Sequence, residues 1–162
     1  MSVASTHEQL LACAPGRRAD FVKQELLEGT EFTVQVVASS GGALRAIVPA
    51  RVLEKRGVTI SALTDPDPVV IHACEQLHAY FRASALYNIQ GIRTSDGRFL
   101  PFEVNPRIST TTCLAIAAGV DPFAAFLGTP EQAPLRFTAN VRLDRYWANE
   151  FSNQEVGASW SS

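Results

Sequence analysis

Residues 85–107 read ALYNIQGIRTSDGRFLPFEVNPR, two apolar-rich runs on either side of Ser95-Asp96-Gly97-Arg98. Runs of this kind around an Asp-Gly turn fold as an antiparallel hairpin, so the chain is committed to a sheet containing at least one such pair. Successive strand side chains point to opposite faces. Along FEVNPRIS (102–109) that puts Glu103, Asn105 and Arg107 on one face and Phe102, Val104, Pro106 and Ile108 on the other. With the turn centred on Asp96-Gly97, Gln90 stands opposite Glu103 and Asn88 opposite Asn105. Opposed residues have β-carbons about 4.5–5.5 Å apart. Asn88, Gln90, Glu103 and Asn105 therefore converge on one patch, with Arg107 at its end. A carboxylate beside amide oxygens is a hard-oxygen ligand set; it suits Mg²⁺, which takes few protein ligands and completes its shell with water and phosphate. The Arg107 fork matches a phosphoryl group. A hairpin face is also polar simply because it meets water, and spacing alone leaves both readings open.

Around this hairpin the pattern predicts a small α+β domain. Ser5 or Thr6 caps a short helix, HEQLLACA, ending near Pro15-Gly16. Residues 20–28 read as a strand running into a turn at Glu28-Gly29, followed by a β-branched run at 31–39, a break at Gly41-Gly42 and a second run at 43–51. The polar stretch 53–63 reads as a loop or an irregular strand. Asp65-Pro66-Asp67-Pro68 opens a helix with Val70, Ala73, Leu77, Tyr80 and Phe81 at helical spacing through about residue 83. After the hairpin come a small-residue helix at 111–119 stopped by Gly119, an Asp-Pro-capped helix at 121–128 and one more strand within 136–151. Hairpins with one long helix between them make an antiparallel sheet covered by helices. The expected division is an N-terminal helix and linker (1–19), the domain proper (20–147) and a loose polar tail (148–162).

Net charge is −2 over 162 residues, without the basic excess of a nucleic-acid binder. No apolar run reaches the ~18–20 residues of a membrane span, and the N-terminus lacks the basic-then-apolar pattern of a signal peptide. Cys13, Cys74 and Cys113 form neither a disulfide framework nor a CxxC pair, which reads as reduced thiols in a cytoplasmic protein. Cys113 reads as a small core thiol, since no His is placed to activate it. His72 and His78, six residues apart on one helix, point to different faces and are not a metal pair. Arg51, Arg56 and Arg93 are candidates for anion binding that read first as surface arginines.

The run Gln90 … Phe102-Glu103-Val104-Asn105-Pro106-Arg107 resembles the metal-binding signature of the ATP-grasp superfamily, most of all its carbamoyl-phosphate-synthase-like branch. Upstream, Gln24 to Phe32 resembles the family's hinge segment. Arg51 to Thr59 resembles the stretch that approaches the phosphates or acyl substrate, and residues 109–123 resemble the helix that follows the signature. The similarity runs in order from about Phe21 to about Leu127. It implies a C-terminal ATP-grasp subdomain that binds ATP with Mg²⁺, or with Mn²⁺ in its place. In that reading Gln90, Glu103 and Asn105 hold the metal, Glu25, Leu27 and Glu31 meet adenine and ribose, and Arg107 contacts the transferring phosphoryl group. Two positions depart from the pattern: Thr110 stands where a glycine is usual, and Thr59 where a His is common.

About twenty residues precede the hinge, and neither Lys23 nor Lys55 sits where the nucleotide-gripping lysines of the covering subdomain belong. The expectation is therefore the C-terminal portion of a carboxylate–amine ligase, incomplete as a catalyst by itself, whose other half is supplied in the same chain or by a second one. A non-catalytic assembly module derived from the same fold is the alternative, and a homodimer is left open.

Overall fold

The computed structural model describes residues 4–12, 24–128 and 134–146. Ten elements follow in chain order: α1 (His7–Ala12), β1 (Gly29–Ala38), β2 (Leu44–Arg56), β3 (Val58–Thr64), α2 (Pro68–Phe81), β4 (Leu86–Thr94), β5 (Phe99–Asn105), α3 (Thr112–Ala117), α4 (Pro122–Leu127) and β6 (Arg142–Asp144). The strands form one antiparallel sheet in the order β5-β4-β1-β2-β3-β6. Pairing of β1 with β4 joins the two expected hairpins edge to edge and makes β1 a central strand.

Alternation along the strands gives the sheet two apolar faces. Phe32, Val34, Val36, Tyr87, Ile89 and Phe99 point one way and bury against Val70 and Cys74 of α2. Val37, Ala46 and Val48 point the other way, under Ala115, Val120 and Ala125 of the α3–α4 region. Each fully buried Val or Ile contributes about 1.5–3 kcal/mol. The Thr6 hydroxyl caps α1 by accepting from Gln9 N at 3.2 Å. In the same way Asp121 opens α4, accepting from Phe123 N and Ala124 N at 2.9 and 3.1 Å.

Several expectations need correction. Residues 24–28 carry no regular structure, and β1 begins at Gly29, whose φ of +150° lets it pass close to Arg93 O. Of the loop and the irregular strand expected at 53–63, the strand is what forms, as a hairpin: β2 runs to Arg56, turns at Gly57 with φ +73° and returns as β3. The charged run Glu54-Lys55-Arg56 hid a strand pairing that shifts register twice, at Val52/Glu54 and at Glu54/Lys55.

On α2 the buried stripe is Val70, Cys74 and His78, while Tyr80 and Phe81 are exposed. His78 finds polar partners inside, with Nδ1 3.0 Å from the Tyr87 hydroxyl and Nε2 3.0 Å from Gly42 O. Cys113 is exposed, because α3 turns Thr112, Leu114 and Ala115 inward instead. The strand predicted to reach Arg107 stops at Asn105, and Pro106-Arg107 form a bend. The end of the first helix near Gly16, residues 20–23 of the expected first strand, the linker and the tail 148–162 lie outside the described residues.

The β4–β5 hairpin is the instructive case. Its loop is three residues, Ser95-Asp96-Gly97, not the two-residue turn expected. Thr94 N donates to Arg98 O at 2.9 Å, and Gly97 takes φ +94°. Near the loop the pairs are Arg93 with Phe99, Ile92 with Leu100 and Gly91 with Pro101. Continued unbroken, that register would set Gln90 against Phe102 and turn Glu103 to the α2 face. A bulge intervenes between Gln90 and Gly91, with Phe102 the extra residue. Beyond it Gln90 pairs with Glu103, Ile89 with Val104 and Asn88 with Asn105, as the sequence reading expected on other grounds.

Candidate functional site

The face of the sheet that carries α3 and α4 also holds the polar residues. One rung across it reads Glu103, Gln90, Thr33, Ala50, and the next reads Asn105, Asn88, Gln35, Val48. The second rung is sealed at Asn88, Gln35 and Val48 under the start of α3, where it forms a hydrogen-bond network, and leaves Asn105 half-buried at its edge. Asn88 is fully buried; its Nδ2 donates to Thr33 Oγ1 at 2.9 Å and to Val34 O at 3.1 Å. Thr112 Oγ1 donates to Gln35 Oε1 at 2.8 Å, and the Ser109 and Thr111 hydroxyls lie 2.7 Å apart. Asn88 is thus on the expected face but under cover, as floor rather than as part of the open patch.

The first rung stays open. Glu103 is exposed and Gln90 half-buried. Two places before Thr33 on β1, Glu31 joins them on the same face, and Lys55 of β2 bridges Glu31 and Gln90. Its ammonium lies 2.5 Å from Glu31 Oε1 and 3.3 Å from Gln90 Oε1. Lys55 owes its place to the irregularity in β2. With Leu53 as an extra residue, Glu54 pairs with Ser61 and Lys55 with Thr59, which exchanges the faces that unbroken alternation would give Glu54 and Lys55. Two bulges in two strands thus bring a carboxylate and a cation to the same face.

The other anticipated residues are placed differently. Arg107 follows the strand, with its Nη1 on Ile108 O at 3.1 Å and its backbone N on Asn105 O at 2.7 Å. Among the described residues it makes no ion pair with Glu103. Glu25 and Leu27 lie in the irregular 24–28 segment, Glu25 exposed and Leu27 half-buried, and the Glu25 charge acts on Arg98 at the β4–β5 loop. Arg93 bonds the α2 cap, its Nε 3.1 Å from Asp67 Oδ2. Arg51 stands 3.7 Å from Asp65, and Arg56 pairs with Glu54 at 2.7 Å. Thr59 and Thr110 are joined by Arg145, which donates to their carbonyl oxygens from Nε and Nη2 at 3.2 and 2.7 Å.

Lys55 and Arg145 are the residues that spacing missed. The hint for Lys55 was its rarity, as one of two lysines in the chain; nothing in the sequence marked Arg145.

The chemistry of the patch fits a metal and a nucleotide. Beside Glu31, its donors are the hard oxygens of one carboxylate, Glu103, and two amides, Gln90 and Asn105; among the described residues there is no group of three His, Cys, Asp or Glu that could hold a metal ion. An ammonium already rests between the Gln90 and Glu31 oxygens, so the patch attracts positive charge. Buried beside it, Asn88 Oδ1 has no hydrogen-bond partner. Its Nδ2 is turned toward β1, and its cross-strand partner on the other side is Asn105. An acceptor there can orient an Asn105 amide whose own oxygen is given to a cation.

A family model described as "ATP-grasp in the biosynthetic pathway with Ter operon" matches residues 17–145. No curated protein sequence matches the chain. The fold is similar to that of an N5-carboxyaminoimidazole ribonucleotide synthetase in its ADP complex, with TM-score 0.52, 14% identity and coverage of 59% of this chain and 27% of that one. It is similar to the biotin carboxylase domain of a thermophilic 2-oxoglutarate carboxylase bound to bicarbonate, with TM-score 0.53, 14% identity and coverage of 73% and 30%. A third likeness is to the biotin carboxylase domain dimer of the Hydrogenobacter thermophilus 2-oxoglutarate carboxylase, in complex with MgADP, ADP and bicarbonate. There the TM-score is 0.50, identity 14% and coverage 72% and 28%. At such identities the likeness is one of fold. The chain spans 27–30% of the length of these structures.

Proposed function

Because the chain belongs to the ATP-grasp family, we propose that the open face bearing Glu31, Gln90, Glu103 and Asn105 binds ATP with Mg²⁺ for a ligase that activates a carboxylate as an acyl phosphate for attack by an amine. The observation that carries this reading is the first rung, Glu103 opposite Gln90, with the Lys55 ammonium on Gln90 and Glu31. Gln90, Glu103 and Asn105 are the residues that would hold the metal. When bound, the ion offsets charge on the transferring phosphoryl group.

The residues of the chain orient and select. Glu31 accepts from the ribose hydroxyls, with Glu25 and the Leu27 backbone along the adenine side. Arg107 swings from the Ile108 carbonyl to the phosphoryl oxygens, a motion its exposed guanidinium permits. The buried floor of Thr33, Gln35 and Asn88 keeps the rung from shifting as charge gathers above it. This platform meets one side of a nucleotide. The facing side is assigned to a further ATP-grasp segment, in the same chain or in a second one, and so is completion of the reaction.

Calorimetric titration with a non-hydrolysable ATP analogue and Mg²⁺, on wild type and on Glu103→Ala, tests the reading. Loss of even an outer-sphere partner costs about 10–100-fold in metal affinity, so Glu103→Ala weakens binding at least about tenfold. Equal binding by the two proteins, or no binding by either, overturns the assignment.

A further inference from the structure

Lys55 occupies a position that one ligand of the site needs and the other can take over. Its ammonium contacts Gln90 Oε1, an oxygen proposed to face the metal, and Glu31 Oε1, an oxygen proposed to face ribose. A lone divalent cation arriving at Gln90 meets an oxygen already accepting from a positive charge, and meets that charge itself. Nucleotide phosphates bring the negative charge that an ammonium on a flexible four-carbon stem can follow. Lys55 is 37% exposed, so it has room to turn, while Glu31 at 26% is held more firmly.

We propose that Lys55 couples the two ligands: it holds Gln90 and Glu31 until phosphates draw it away, so that the divalent cation enters as the metal–nucleotide complex and is disfavoured alone. The inference rests on the reading of this face as a metal–nucleotide site. By linkage, the factor by which nucleotide tightens metal binding equals the factor by which metal tightens nucleotide binding, and Lys55 enlarges both.

Mn²⁺ is the probe, followed by electron paramagnetic resonance of the free ion with and without ADP, in wild type, Lys55→Met, Lys55→Arg and Glu103→Ala. Lys55→Met is expected to bind Mn²⁺ alone about two- to fivefold tighter, the range set by exposed ion pairs. It binds ADP about tenfold more weakly, the loss expected for a hydrogen bond to a charged group. The factor by which ADP tightens Mn²⁺ therefore shrinks, and Lys55→Arg restores it. A residue that served only to brace β2 would not tighten Mn²⁺ when removed. If Lys55→Met binds Mn²⁺ no tighter, or ADP tightens Mn²⁺ equally in both proteins, the coupling role is overturned while the site stands. If wild type binds neither probe, or Glu103→Ala binds Mn²⁺ as wild type does, the site reading falls and the coupling role with it.

Discussion

Asp67 serves two partners with its two oxygens. Oδ1 accepts from Val69 N and Val70 N at 2.8 and 3.2 Å, and Oδ2 accepts from Arg93 Nε at 3.1 Å, tying the start of α2 to β4. Losing a cap costs about 1 kcal/mol, and this ion pair is mostly out of solvent, at 24% and 20% exposure. Asp67→Ala is therefore expected to lower unfolding stability by about 1–3 kcal/mol. Asp67→Asn, which keeps the cap, loses roughly half of that; urea denaturation of both checks it. This residue was legible, since Asp-Pro-Asp-Pro before an apolar-periodic run has few other uses. Lys55 was not. Between Glu54 and Arg56 it looks like part of a solvated turn, and its face depends on Leu53 dropping out of the ladder, which no local preference announces.

At the scale of the element, Glu103 is the case where a right pairing came from a wrong turn. The expected two-residue loop and the real three-residue loop differ by one place, and Phe102 makes up the difference. Close packing marks the spot: a β-carbon on Gly91 would lie 2.4 Å from the Phe99 ring and 2.8 Å from Leu100 O. Because Phe102 is the unpaired residue, removing it leaves Pro101 on Gly91 and brings Glu103 onto Gln90 in an unbroken ladder. Deletion of Phe102 is therefore expected to keep Mn²⁺–ADP binding within about threefold of wild type, the error of treating the face as unchanged. Deletion of Val104 sends Asn105 to the other face and is expected to cost at least about tenfold. Comparing the two deletions by the Mn²⁺ signal separates them. The long helix shows the opposite kind of miss. Helical spacing suggested Tyr80 and Phe81 inside, but His78 takes the last buried position because Tyr87 and Gly42 supply partners for both ring nitrogens.

For the molecule as a whole, the α+β class and the antiparallel sheet were readable from two punctuated hairpins and a capped helix. The strand order was not, because nothing local dictates that β1 pairs with β4. The same sheet ties stability to alkaline pH. Burial, with a lesser push from Glu75, raises the Cys74 thiol from 9.0 to about 12. Burial and then Cys74 raise the Tyr87 phenol from 10.0 to about 12. Both groups stay protonated in the fold after they have begun to ionise in the unfolded chain, so stability is complete below about pH 9 and falls as pH rises from there toward 12. Chemical denaturation across that range should show the decline, and Cys74→Val should make it shallower.

The reach of Arg145 has its own consequence. Every residue proposed to touch a ligand lies between Glu25 and Arg107, yet the carbonyls of Thr59 and Thr110 are fastened by a guanidinium supplied nearly forty positions after that stretch. A chain trimmed to its recognisable motif would retain the full ligand set but lose the link between β3 and the turn before α3. The face proposed to meet the ligands is thus braced by a residue well past the last one proposed to touch them.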